Sequence, residues 1–409
     1  MTELPLAGIR VVDFGQGVAG PYCSMLLADH GATVIKIEPP RGDWSRTLGG
    51  RNFGGQTSVS VSLNRNKQSL TVDLSKPEGL RLARQLVDAS QVVVENFRPS
   101  VMQRMGLDFE TVSTGRTDLV YCSINGFGPT GPYAALPAGD SITQPLAGLM
   151  SIIGGPSDPP MRVGNVVSDM LAGMNASQGV LLGLMQSRRT GKCQKINISL
   201  LESMLAFQTP IFTEYLMTGD LPRRNGNDHP MIAPSGAFKT RDGWLYFTVI
   251  EHMWTRFCDG MGLSQLGEDK RFVDNASRME HRDALNSLIA PTLQNKTTSE
   301  CLAMLQAVDV PSSRINSYAD VLADPQVQHS GVFSDVDHPQ FCELPVVKNA
   351  VVLQGEEVPY SHPPRNGEHS REVLRNVLSY SEKAIDELVR AGIVCCADQD
   401  MRDSPIVQA

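Results

Sequence analysis

The sequence predicts an α/β fold with a parallel sheet and two compact units, and three observations carry that prediction. Through the first third of the chain, short apolar runs alternate with helical patterns, as they do where helices flank a parallel sheet. The 409 residues exceed one ordinary domain and fall short of three. Hydrophobic residues make up 41% and charged residues 20%, a globular rather than a disordered composition.

Taken in order, residues 9–14 (Ile-Arg-Val-Val-Asp-Phe) read as the first strand, followed by glycines and a helix from about Pro21 to His30. Thr33–Glu38 is the second strand. A helix opens at Ser75-Lys-Pro-Glu78, where Ser75 is expected to cap, Pro77 to occupy the first turn and Glu78 to close a capping box. Leu80, Ala83, Leu86 and Val87 supply its buried stripe. Residues 91–95 and 119–124 continue the sheet, and 126–133 hold too many glycines and prolines for regular structure. A long helix is expected from about Asp169 to Gln186, with Ala172, Ala176, Gly179 and Gly183 on one face that admits a close neighbour. The pattern breaks at 221–230, where the second unit begins. Asp242-Gly243 joins two strands as a hairpin, and helices follow near 280–290 and 297–307, the latter capped by Thr297 with Glu300 three residues on. From about Pro345 the chain reads as strand-like again, before a last helix capped by Ser381 and ended by Gly392.

Composition excludes several classes. No stretch approaches the roughly 18 apolar residues of a membrane helix. The first residues lack a basic region followed by an apolar run, so a soluble, cytoplasmic protein with no membrane partner is expected. The formal net charge of -8 argues against nucleic-acid binding through a broad basic face. The eight cysteines are scattered, with only Cys395 and Cys396 adjacent. They form no zinc spacing and suggest no disulfide framework, so no metal is expected.

Directly after the first strand stands Gly15-Gln-Gly-Val-Ala-Gly20, a G-x-G-x-x-G, and Glu38 ends the next strand. Strand, turn, helix and acid in that order read as a dinucleotide-binding fingerprint, with Glu38 on a ribose hydroxyl. Pro21 counts against it, because proline favours a helix that starts there. The glycine turn remains a place for any nucleotide diphosphate.

Several further segments, together with 12–21, resemble the family III CoA-transferases, the group that includes formyl-CoA transferase and carnitine CoA-transferase. They are Val34-Ile-Lys-Ile-Glu38, Asn64-Arg-Asn-Lys67, Asp73–Gly79, Val94-Glu-Asn-Phe-Arg-Pro99 with Arg104-Met-Gly106, 124–132, 162–173 and 367–374. The resemblance implies a large Rossmann-like domain from residues 1–220, completed by 340–409, a small α+β domain at 225–335, and an interlocked homodimer. It implies no cofactor, since the CoA thioester is itself substrate, and so overrides the nicotinamide reading. In such proteins the nucleophile is the aspartate that here is Asp169, at a helix opening where dipole and free amides are expected to favour its ionised form. Asp140 matches an acidic position near it. Val18, Ala19, Val72, Asn96, Phe97, Arg98 and Arg104 match CoA-binding positions. Pro39 stands where formyl-CoA transferase has an arginine, with Arg41 two residues on, and Pro137 replaces its lysine.

The same superfamily holds α-methylacyl-CoA racemases, which carry Gly-His-Asp where this chain has Gly139 directly before Asp140. Without that imidazole, two-base proton exchange lacks a partner, although Glu251 resembles a racemase-side acid. A transferase is therefore expected. The glycine-rich flap of formyl-CoA transferase is missing. The His229-Pro230, 237–240 and 337–339 segments resemble members acting on succinyl-CoA and C4–C6 dicarboxylates. Arg46 and Arg65 are candidates for pairing with a distal carboxylate.

Overall fold

A computed structural model describes residues 4–49, 55–339, 342–354 and 358–397. The chain divides into two compact units: one runs through Leu149, resumes at Val163–Glu214 and again from Gly331, and the other comprises Met150–Arg162 and Tyr215–Ser330.

The larger unit is built on a seven-stranded sheet. Its strands are β1 (Arg10–Asp13), β2 (Thr33–Glu38), β3 (Lys67–Val72), β4 (Val92–Glu95), β5 (Val120–Asn125), β6 (Gln194–Ser199) and β12 (Val394–Cys395), in the order β12-β3-β2-β1-β4-β5-β6. All pairings are parallel except that of β12, which runs antiparallel along β3. The 3-2-1-4-5-6 core is the Rossmann order, with its switch point between β1 and β4. Chain order reverses there, so a crevice opens at the carboxyl ends of those two strands, and they deliver Gly15–Gly17 and Asn96–Phe97 to it.

Burial on both faces explains why these strands read as unbroken apolar runs. Val12, Ile35 and Val93 pack on one side with Leu82 and Leu86 of α2 (Pro77–Asp88). Val11, Val34 and Val92 pack on the other with Ala172 and Ala176 of a long helix, Val167–Thr190. That helix lies against α1 (Ala19–Asp29) and β5. Its small residues account for the closeness: a Cβ on Gly173 would lie 2.8 Å from the Ala19 carbonyl oxygen, and one on Gly183 would lie 2.8 Å from Val120.

The capping box expected at Ser75 does not form. Lys76 holds the N-cap position of α2 without a side-chain bond. Asp73 captures Ser75 instead, accepting from its backbone N–H at 3.0 Å and its hydroxyl at 2.6 Å, a local turn that competes with capping. Glu78 pairs with Arg81.

In the smaller unit, β7 (Ser235–Lys239), β8 (Trp244–Thr248) and β9 (Ser312–Arg314) form an antiparallel sheet, with the hairpin at Asp242-Gly243. Phe238, Phe247, Phe257 and Trp254 stack in sequence through its core. Thr297 and Glu300 form a full capping box on the helix Thr298–Ala307. Residues 150–162, which the sequence places in the larger domain, belong here: the Gly226 amide donates to the Gly154 carbonyl at 2.9 Å and Arg224 to Gly155 at 3.3 Å.

Near the C-terminus, β10 (Phe333–His338) and β11 (Cys342–Val347) form a hairpin of the larger unit. The strand-like run expected from Pro345 ends at Val347, and Pro359, Pro363 and Pro364 offer no N–H groups for a ladder further on. Ser381 caps the last helix, Glu382–Arg390, as expected.

Candidate active site

The glycine turn after β1 has little left to give a ligand. The Gly15 amide donates to Asp13 at 2.7 Å, the Gln16 amide to the Asn96 side chain at 2.8 Å and the Gly17 amide to Asp43 at 3.0 Å. The carbonyls are engaged too, Gly15 by Lys36 at 2.5 Å and Gln16 by the Asn96 amide at 2.8 Å. Lys36 is fully buried in the middle of β2 and also pairs with Asp43 at 2.9 Å. Lys67, buried beside it, bonds Asp13 and the Pro21 carbonyl, and burial pushes its amine down to about 8. Glu38 is buried and held by Arg46 through two bonds of 2.7 Å. A dinucleotide fingerprint needs free turn amides and an exposed acid, so this reading is overturned. The glycines instead permit a turn whose polar atoms are locked by buried charge.

Beside the turn lies a cleft of about 580 Å³, within the size range of small-ligand sites. Its walls include Gln16, Pro39, Arg41, Val72, Phe97 and Met105. Arg41, Val72 and Phe97, far apart in sequence, thus meet in one cavity. Asn96 does not line it; its side chain staples the turn. Arg98 and Arg104 are exposed on the segment that carries Phe97 and Met105, and Arg104 donates to Ser100 at 2.9 Å. Val18 and Ala19 are buried around the start of α1. Glu95, at the end of β4, accepts from the Phe97 amide at 2.8 Å and from Ser123, and burial pushes its carboxyl up to about 7.

Asp169 stands in the first turn of α4 (Val167–Thr190), preceded by α3 (Asp140–Leu146). No side chain at the N-cap, Val166, caps α4. Asp140 does so from outside: its carboxylate accepts from the Ser168 amide at 3.0 Å and the Ser168 hydroxyl at 3.1 Å. Gln144, fully buried, fixes the other Asp140 oxygen at 2.7 Å and also accepts from the Val163 amide at 2.9 Å. Spacing alone did not single out Gln144; its one signal is that it lies a helical turn after Asp140.

The Asp140 backbone amide hydrogen-bonds the Asp169 carboxylate. Burial, and then the charge of Asp140, nevertheless push Asp169 up to about 7. The expectation that the helix terminus favours the ionised form is therefore corrected, because desolvation outweighs the dipole and that one amide. A carboxylate with raised basicity, partly buried and half-ionised near neutrality, is a competent nucleophile toward a thioester carbonyl. Gly173, one turn further, touches Ala19, so the openings of α4 and α1 abut.

Two arginines take other roles than the sequence suggested. Arg46 is buried against Glu38, and Arg65 binds Asp29 through bonds of 3.0 and 2.6 Å, so both brace the frame. Glu251, the acid behind the racemase alternative, accepts from Arg278 at 2.7 Å and the Asn275 amide at 2.9 Å. Among the described residues, no group of three or more His, Cys, Asp or Glu is arranged to hold a metal, and no helix is long and apolar enough to cross a membrane.

Known proteins share this fold and much of this sequence. The model of CoA-transferase family III matches residues 6–370. The chain is 33% identical over 396 residues to the succinyl-CoA:glutarate CoA-transferase of Homo sapiens, covering 95% of this chain and 90% of that one. It is 35% identical over 379 residues to the succinate–glutarate CoA-transferase of Agrobacterium fabrum, covering 90% and 95%. A solved CAIB/BAIF family protein from Brucella suis superposes with a TM-score of 0.83 at 32% identity, over 92% of this chain and 100% of that one. The chain belongs to CoA-transferase family III. It is a CoA-transferase, and the racemase alternative is not favoured.

Proposed function

We propose that the protein moves CoA from succinyl-CoA to a dicarboxylate through Asp169, as an interlocked homodimer. The observation that carries this reading is the raised, partly buried carboxyl in the first turn of α4, one turn before the Gly173 that packs on the start of α1. The substrate class follows the relatives, which are named for succinyl-CoA and glutarate.

The Asp169 carboxylate attacks the thioester carbonyl, the C–S bond breaks, and a mixed anhydride forms as CoA thiolate leaves. The thiolate then attacks the aspartyl carbonyl, giving an aspartyl–CoA thioester and free succinate. The acceptor carboxylate attacks that thioester in turn, and thiolate attack on the acceptor side of the second anhydride yields the new acyl-CoA and restores Asp169. One thioester is exchanged for another, so no ATP is needed. Val72 and Phe97 supply apolar walls for the adenine, while Arg41, Arg98 and Arg104 supply guanidinium donors for phosphate oxygens. Val18 and Ala19 present the backbone along which the ligand passes, and Asn96 acts by holding Gln16. Asp140 orients the nucleophile through its amide and sets its basicity through its charge.

The test is a panel of carboxylates incubated with succinyl-CoA and read by mass spectrometry for new thioesters. Asp169→Ala should retain its fold by circular dichroism and lose exchange by about 1,000-fold or more. Hydroxylamine or borohydride should label Asp169 only when acyl-CoA is present. Unlabelled Asp169 with turnover intact would remove the mechanism.

A further inference from the structure

Trp44 is 50% exposed, although Asp43, Ser45 and Arg46 around it are buried. Its short 3-10 turn, Trp44–Thr47, is fastened on both sides of the indole. Asp43 accepts from the Ser45 amide at 2.8 Å and from Gly17 while paired with Lys36, and Arg46 is locked to Glu38. The ring is therefore presented from a rigid base. One edge of it lies on Gly17, where a Cβ would fall 2.1 Å from the indole Cζ2 and where φ is +78°. Glycine is required there twice over, for its backbone conformation and for the space the ring takes.

Two chain segments tie the ring to the rim of the cleft. Gln16 lines the cleft, Gly17 carries the indole, and Ala19 touches Gly173, one turn from Asp169. On the other segment, Pro39, Pro40 and Arg41 line the cleft and Trp44 follows three residues on. A ligand that follows these segments from the cleft toward the opening of α4 passes Gly17, on which the indole lies.

We propose that Trp44 is a binding wall for the pantetheine arm of the acyl-CoA, between the nucleotide cleft and Asp169. The inference rests on the reading of Asp169 as the point the thioester reaches. Pantetheine is a chain of methylene and amide groups, and a fixed indole offers it a broad apolar face with little loss of side-chain freedom. An interaction made equally with substrate and transition state appears in KM rather than in kcat.

Titration of the full-length protein with free CoA, followed by tryptophan emission, tests the idea without any chemistry at Asp169. The emission should change in the wild type and in Asp169→Asn, and the change should vanish in Trp44→Phe, leaving Trp244 and Trp254 silent. Trp44→Ala should raise KM for acyl-CoA by about 10-fold with kcat within about 3-fold, and Trp44→Phe should recover most of the loss. An emission change that survives in Trp44→Phe, or an unchanged KM in Trp44→Ala, overturns the proposal. So does a Trp44→Ala protein whose only defect is a halved native mass, which would assign the ring to a contact with a second copy. Failure of the Asp169 reading shows separately, as missing hydroxylamine label, while the CoA titration still reports on Trp44.

Discussion

Asp169 is subject to opposing influences: burial and the Asp140 carboxylate favour the protonated acid, while the Asp140 amide favours the carboxylate. The first pair wins and places the midpoint at about 7, against 3.8 for a free aspartate. Attack on the thioester requires the ionised form, so kcat/KM should rise with pH through about 7 and level off above it. Asp140→Asn removes the opposing charge and should move that acid limb downward, with the pH–rate profile as the measurement. The same shift enters stability with a definite sign. Between about pH 4 and 7 the unfolded chain has lost this proton and the folded chain still holds it, so stability falls as pH rises through that window. Asp169→Asn should therefore melt about 1–3 °C higher than wild type at pH 8, with the gap closing below pH 4. An Asn variant that is less stable at pH 8 would mean that the carboxylate is well satisfied in the fold, contrary to its raised midpoint.

Helix α4 connects the nucleophile to the frame, and its glycines are not equivalent. At Gly173 the obstacle to a side chain is a backbone oxygen of α1, which cannot move without shifting the opening of α1. At Gly179 the nearest atom is the Ile196 Cγ2, a side-chain methyl rather than backbone, at 2.9 Å. Gly173→Ala should cost about 1–3 kcal/mol and lower kcat by about 10- to 100-fold through displacement of Asp169. Gly179→Ala should be milder in thermal melting and leave kcat close to wild type, so the pair separates packing from positioning. The glycine stripe of α4 and the strands of the sheet were legible because local pattern and tertiary burial agree: Val92–Val94 are buried on both faces and read as a continuous apolar run. The start of α4 was legible to within two residues, but its cap was not, since the cap comes from Asp140, 28 positions from Ser168, and no side chain at Val166 marks the boundary. Likewise Glu38 read as a ribose ligand because its partner Arg46 is fixed by folding rather than by spacing. Of the site residues carried by family resemblance, Arg41, Val72 and Phe97 meet at the cleft. The charge network behind them needed coordinates.

On the scale of the whole molecule, α4 poses a question that one chain does not answer. Ala172, Ala176 and Gly183 are spent on the sheet and on α1, yet Met174, Leu181, Leu182 and Met185 stand exposed on the same helix, Met185 at 69%. Leu205 and Phe207 of the helix Leu200–Phe207 are also exposed. A helix that is apolar all round is one that is covered all round, and a surface of this kind marks a protein interface. The proposed homodimer supplies the cover, and a native mass of twice the chain should be found by sedimentation. Leu182→Glu with Met185→Glu should drive that mass toward a single chain, by burying two charges in an apolar contact. Whether the two chains are interlocked, rather than merely apposed, is separable by exchange. Linked chains cannot part without at least one of them opening, so subunit exchange is limited by unfolding rather than by dissociation of an interface. Mixing tagged and untagged protein should give no mixed dimer over hours in native buffer. Mixed dimer should appear after both are unfolded and refolded together. Rapid mixing without denaturant would leave a dimer but dismiss the linkage.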